Sequence, residues 1–361
     1  MERFGFIIHP LQAKRDVARK YPFAKLLPER VVEWALTHTK PMLVSHITGV
    51  RSKTGAEAEG WLVGCPLTPR QLLELPIDLV WEKIIGAAKI AEEMGAGIVG
   101  LGAFTSVVGD GGKTVAENVN IAVTTGNSYT VATAIEGAVK AAEMMGINPD
   151  EATVAIVGAA GSIGRTCAQI MARRAKSMML VGLATDPLSE VADDLRDRGA
   201  KDVSISDSVE KGIHDADIVI AVSSAVKEII HPSYIKTGAV VCDVARPRDV
   251  SKRVVEERDD VLVIEGGVVA VPGNPDFHFD FGFPPGTAYA CMSETMMLAL
   301  EGRYECFTLG KEVSVKQVEE ISALADKHGF RLAGFRSFEK PVTDEHIARV
   351  RENAEKKRRV V

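Results

Sequence analysis

The chain has 361 residues, more than one hydrophobic core usually sustains, so two domains are expected. A net charge of −6 with 25% charged residues excludes the basic field of a nucleic-acid binder. Five cysteines at wide spacing (Cys65, Cys167, Cys242, Cys291, Cys306), no C-x-x-C pair and no H-E-x-x-H among eight histidines argue against a disulfide framework and against a metal site.

The chain opens MERFGFIIHPLQAKRD, whose apolar stretch is too short for a signal h-region, and no 18-residue uncharged apolar run follows. The expectation is a cytoplasmic protein without a membrane span. Residues 1–150 mix short strands (4–8, 44–50, 97–101) with helices (69–75, 79–94, 129–145) and read as a substrate-binding α/β unit. His9 follows the first strand and is either a general acid or a satisfied core histidine. Leu101 to Ser106, LGAFTS, ends a strand in small and hydroxylated residues suited to a cleft or a turn. GDGGKT at 109–114 lacks the glycine a phosphate-binding P-loop needs, because position 107 is Val107. It reads as a mobile loop. The polar run Thr124-Thr125-Gly126-Asn127-Ser128-Tyr129-Thr130 precedes the helix at 129–145, where a cleft between substrate and cofactor domains is expected. Asn127 or Ser128 caps that helix, orients a carbonyl, or does both.

From Thr153 onward strands and helices alternate at βαβ spacing: strands at 153–157, 178–181, 202–205, 218–222, 239–242 and 261–264, with helices such as 188–198 and 250–258. The fold class is α/β, with a doubly wound Rossmann domain over 151–286. Its signature is TVAIVGAAGSIG, in which Gly158, Gly161 and Gly164 break a β-branched run at the start of a helical pattern. The first glycine permits the tight turn, the second lets backbone approach a pyrophosphate, and the third lets helix pack on strand. Expected cofactor contacts are Gly158, Ala160, Gly161, Ser162, Ile163, Gly164 and Arg165, then Thr185, Val222, Ser223 and Gly267. Past the second strand neither an acidic residue nor an arginine holds the clear position that reads the ribose 2′ group. Asp186 comes late and reads equally as a helix cap, and Arg165 is in reach of a phosphate, so NADPH and NADH both stay open on residues alone.

His278 lies in an aromatic patch, Phe277-His278-Phe279-Asp280-Phe281, and is weighed as His9 was. In GTAYACMSETMMLALEG, Thr287 would cap a helix and place Cys291 in its first turn, where unpaired N–H groups and the dipole lower a thiol pKa and favour a nucleophilic thiolate. The alternative is a buried, inert cysteine. Helices at 288–302 and 316–329, within a C-terminal region 287–361, are expected to pack on the N-terminal unit. The terminal run EKKRR (355–359) reads as a solvated helix end.

Taken together, FGFIIHP, LGAFTS, TTGNSYT, VGAAGSIG, EGGVV and above all YACMSETMMLALEG resemble the long-chain acyl-[acyl-carrier-protein] reductases, from Phe4 to about Phe330. The resemblance implies that Cys291 takes the acyl group as a thioester, that NADPH reduces it to a fatty aldehyde, and that the substrate arrives on acyl carrier protein or coenzyme A. Backbone N–H groups at the helix start, with Asn127, would hold the oxyanion. Two features depart from the family: Leu183 stands where its members carry an arginine after the second strand, and AVPGNPDFHFDFGFPPG differs before the cysteine. Two other readings stay open, a non-covalent dehydrogenase resembling shikimate or methylenetetrahydrofolate dehydrogenases and a dinucleotide-binding sensor without turnover. Oligomeric state is open too.

Overall fold

The computed structural model describes residues 1–280 and 282–359, so Phe281 of the aromatic patch lies outside the described residues. The chain forms two compact units, each drawn from three segments. The first takes Met1–Tyr129, Val269–Glu312 and Glu320–Arg331; the second takes Thr130–Val268, Val313–Glu319 and Leu332–Val361.

The first unit holds a mixed six-stranded sheet. Its strands are β1 (Glu2–Ile8), β2 (Met42–Arg51), β3 (Glu57–Gly64), β4 (Ile98–Leu101), β5 (Ala122–Thr124) and an edge strand, Gly273–Asp276. The order is edge strand, β2, β3, β1, β4, β5, with β3, β1, β4 and β5 parallel and the rest antiparallel. β1 is central, which is why FGFI is apolar on both faces. Helix Ala290–Leu300 packs on β1 and β4. Gly100 of β4 permits this approach: a Cβ there would sit 2.1 Å from Oγ1 of Thr295.

The second unit is an all-parallel sheet of β6 (Thr153–Val157), β7 (Ser177–Val181), β8 (Val203–Ser206), β9 (Ile218–Ala221), β10 (Val240–Asp243) and β11 (Leu262–Glu265). Its order is β11-β10-β9-β6-β7-β8, the doubly wound arrangement that reverses between β6 and β9. Separate cores cover its two faces, one including Val154, Ile156, Leu180 and Ile220, the other Ala155, Val157, Val181 and Val219. This is a Rossmann fold, and all six expected strands are in it.

The last helix, Asp344–Arg358, corrects two expectations. Ile347 and Val350 enter the core of the second unit, not the first, because only one stripe of the helix is apolar. Its basic end is docked as well as solvated: Lys357 pairs with Asp259 (2.7 Å) and Asp260 (3.0 Å), and Arg358 donates to the Thr237 carbonyl at 3.0 Å. Among the described residues no helix is long and apolar enough to cross a membrane.

Candidate active site

Helix Ala290–Leu300 is buried along its whole length except at Cys291, which is half-buried in its first turn. Tyr289, not Thr287, is the N-cap residue; Thr287 lies in a short strand and its hydroxyl donates to the Pro284 carbonyl at 2.7 Å. Against Cys291 lies Gly126 of the TTGNSYT run. Gly126 has φ +73°, and a Cβ there would lie 2.3 Å from both Cα and Cβ of Cys291, so only glycine closes this contact.

One turn past Cys291, Glu294 is a fully buried carboxylate that binds the same run. Its Oε1 accepts from Thr124 Oγ1 (2.6 Å) and Thr308 Oγ1 (2.9 Å); its Oε2 accepts from Ser128 Oγ (2.5 Å) and the Tyr129 N–H (3.0 Å). Four donors on one carboxylate compensate for its loss of water. Ser128 therefore serves Glu294 instead of capping its own helix. Asn127, 7% exposed, is the first residue of helix Asn127–Met144, directly after the glycine that touches Cys291. Thr125 Oγ1 is buried and has no hydrogen-bond partner.

The Cys291 thiol is not depressed as the helix start suggests. Burial pushes it up to about 12; the backbone N–H groups of Met292, Cys291 and Ala103 pull it down, and the Glu294 carboxylate pushes it further up. Desolvation outweighs the helix terminus here, because losing water costs the anion more than these donors return. The thiol is therefore protonated at neutral pH. What the helix start and the turn Ala103–Ser106 provide is a partial offset to that burial from the backbone N–H groups of Met292, Cys291 and Ala103.

His9 holds that turn. Its Nε2 accepts the Phe104 N–H at 3.2 Å, while Nδ1 lies 3.3 Å from the Pro10 carbonyl, an arrangement that fits a neutral ring protonated on Nδ1. Burial lowers its pKa to about 4. His9 thus positions the turn, and burial disfavours its charged form. His278 follows the edge strand on the side of the sheet opposite β5, and its Nδ1 bonds the His46 carbonyl at 2.9 Å. GDGGKT forms a hydrogen-bonded turn: Asp110 Oδ2 accepts from the N–H (3.0 Å) and hydroxyl (2.6 Å) of Thr114 at the start of helix Lys113–Glu117.

In the second unit, the glycine triplet sits between β6 and helix Ser162–Met171, with Gly161 as N-cap. Gly158 has φ +88°, and a Cβ on it would come within 2.9 Å of the Ser223 backbone; one on Gly164 would lie 2.2 Å from the Gly158 carbonyl. Ala160 and Gly161 stay exposed at the helix start, and the Gly161 N–H closes the turn onto the Gly158 carbonyl at 3.0 Å. This cradle fits a dinucleotide pyrophosphate. Asp249 fixes its second wall, accepting from both the Ser223 N–H (3.0 Å) and Oγ (2.6 Å). Val222 pairs with β6 through its N–H, and Gly267, φ +80°, turns the chain after β11. Thr185 opens helix Thr185–Asp197, whose N-cap is Ala184, so Asp186 lies inside the first turn and is not its cap. Leu183 is 96% exposed, and Arg165 lies 3.7 Å from Glu190. The structure thus brings Cys291 and the Asn127 segment together in one unit and the cofactor residues together in the other.

Glu294, Thr308 and Asp249 were missed as functional residues. A signal for Glu294 was present: it is the only charged side chain in ACMSETMMLAL, and a lone carboxylate in an apolar helix must find donors. Thr308 and Asp249 carry no local signal, since their partners are distant in sequence.

A family model for shikimate/quinate 5-dehydrogenases matches residues 140–265. The chain is 30% identical over 347 residues to the aminotransferase PigE of Serratia sp., covering 91% of this chain but only 39% of that protein. It is 26% identical over 350 residues to the long-chain acyl-[acyl-carrier-protein] reductase of Synechococcus elongatus, covering 91% of this chain and 98% of that one. Among solved structures it is similar to L-tryptophan dehydrogenase from Nostoc punctiforme, at 13% identity and a TM-score of 0.42, over 100% of this chain and 90% of that one.

Proposed function

We propose that this oxidoreductase, built on an NAD(P)-binding Rossmann fold, reduces a fatty acyl thioester carried by acyl carrier protein or coenzyme A to an aldehyde, through a thioester on Cys291. The observation that carries this reading is one sulfur at the only accessible position of a buried helix, packed against Gly126, with the backbone N–H groups of Met292, Cys291 and Ala103 near enough to favour its anion. Such donors stabilise the oxyanion formed when a thiol attacks an acyl carbonyl. The Synechococcus relative, matched over nearly its whole length, supports the substrate class.

Cys291 attacks the acyl carbonyl, its C–S bond forms as the carrier's C–S bond breaks, and the thiol proton leaves with the carrier thiol. The transfer thus needs no net proton. Because the free thiol is protonated at neutral pH, the proton moves during attack rather than before it. Glu294 and His9 hold the two segments that carry the donors, and Asn127 adds a side-chain donor to the oxyanion. Gly158, Ala160, Gly161, Ser162, Ile163 and Gly164 would hold the pyrophosphate, with Val222, Ser223 and Gly267 as the opposite wall. Arg165 and Thr185 would read the 2′-phosphate of NADPH, since β7 ends in the exposed Leu183 with no carboxylate before Asp186. When bound, the dinucleotide would supply a hydride to the acyl carbon; with one proton from solvent the C–S bond would break, giving the aldehyde and the Cys291 thiol. Five free thiols suit this chemistry to a reducing cytoplasm.

Cys291→Ser tests the covalent route. Aldehyde formation from acyl-carrier thioester and NADPH falls by about a thousandfold or more, with dinucleotide affinity unchanged. Near wild-type turnover by the variant would instead assign direct hydride transfer, as in a non-covalent dehydrogenase.

A further inference from the structure

Between β1 and β2 the chain leaves the sheet for a helical excursion, residues 12–40, made of helix Ala13–Lys20, the 3₁₀ turn Pro22–Leu26 and helix Glu29–His38. Ala13, Ala18, Ala24 and Val32 form its small core, with Val17, Leu27 and Leu36 packed against them, while four further large residues face out: Phe23 is 63% exposed, Leu26 87%, Val31 44% and Trp34 64%. Burying Phe, Leu and Trp is the largest gain folding offers, so leaving four large apolar groups outside marks a surface matched to another apolar phase. Val31 and Trp34 are three apart and share one helix face, and Trp34 packs on His38 with ring centroids 4.7 Å apart.

The charge around these residues is net positive. Residues 12–40 carry seven Lys or Arg against three Asp or Glu, in a chain whose total is −6. Of the three acids, Asp16 pairs with Arg19 and Glu33 with Arg70. Lys20, Lys25 and Arg30 are exposed and flank Phe23, Leu26 and Trp34 in sequence. Exposed aromatic and aliphatic tips interspersed in sequence with exposed lysine and arginine, on short helical pieces, match the chemistry of an anionic bilayer surface, with cations for the headgroups and apolar tips for the acyl boundary.

We propose that residues 12–40 seat the protein peripherally on anionic lipid. This rests on the surface alone and not on the reaction at Cys291.

The test is flotation of the full chain with phosphatidylcholine vesicles with or without phosphatidylglycerol. The expected result is flotation with phosphatidylglycerol present, at least about tenfold weaker without it or at high salt. A blue shift of Trp34 emission, lost in a Trp34→Phe control, accompanies it. The triple variant Phe23→Ser, Leu26→Ser, Trp34→Ser stops floating, and Lys20→Glu, Lys25→Glu, Arg30→Glu removes the dependence on phosphatidylglycerol, both with unchanged melting temperature and dinucleotide affinity. Wild type that stays in solution, or floats no better than the serine variant, overturns the proposal. So does a chain that ignores vesicles but self-associates, or binds an acidic protein, through these same residues.

Discussion

At the scale of single residues, the balance at Cys291 sets the chemistry. Two effects compete at that sulfur, and burial exceeds the pull of the three N–H groups, leaving the thiol pushed up to about 12. A thiol is neutral when protonated, so below that value each pH unit raises the thiolate fraction about tenfold. Alkylation of Cys291 by iodoacetamide, followed by peptide mass to separate it from the exposed Cys306, is therefore expected to accelerate about tenfold per unit from pH 7 to 9. A plateau below pH 8 would mean a depressed thiol. Glu294 enters the same balance with a known sign. Glu294→Gln removes the charge that pushes the thiol up, so the variant alkylates faster at any given pH. The same change weakens four hydrogen bonds and costs about 1–3 kcal/mol of stability.

At the scale of elements, function depends on where helices meet turns. Gly164 presses helix Ser162–Met171 onto the turn after β6, and a methyl group there would lie 2.2 Å from the Gly158 carbonyl. Gly164→Ala is expected to weaken dinucleotide binding, measured by equilibrium dialysis, by about tenfold or more while leaving Cys291 open to acylation without cofactor. Unchanged binding would show that the cradle is not the cofactor site. These elements were legible to different degrees. The β6 run and its glycines were readable because β-branched residues, turn and helix follow one another locally, and so were all six parallel strands. Helix Ala290–Leu300 was readable, but its start was not: Thr287 looks like a cap in sequence, and strand pairing claims it instead. The helical excursion at 12–40 went unassigned in the sequence. The donors around Glu294 come from 124–129 and 308, a juxtaposition that only the folded sheet creates. The thiol shift was misread because a sequence shows the helix terminus but not how much water the fold removes.

For the whole molecule, the two units carry opposite pH signatures. In the first unit, burial holds His9 at about 4 against an ordinary 6.5, so the folded state resists its protonation. That stability is present above pH 6.5 and is lost as pH falls toward 4, by at most about 3 kcal/mol and less because the ring keeps some solvent. In the second unit, burial raises Asp243 to about 7, so its folded form holds a proton the unfolded chain releases above about 4. Its cost grows as pH rises from 4 to 7 and stays constant above. Melting curves across that range are expected to show His9→Gln losing less stability on acidification than wild type, and Asp243→Asn losing less than wild type between pH 4 and 7. Parallel curves for wild type and both variants would contradict this assignment. The central claim is that Cys291 carries the acyl group, and the most direct measurement is the intact mass of the protein after mixing with acyl thioesters of several chain lengths in the absence of dinucleotide. The account predicts a single acyl adduct that maps to Cys291, is absent from Cys291→Ser, and disappears when NADPH is added. No adduct at any chain length, or one mapping to the exposed Cys306, would contradict it.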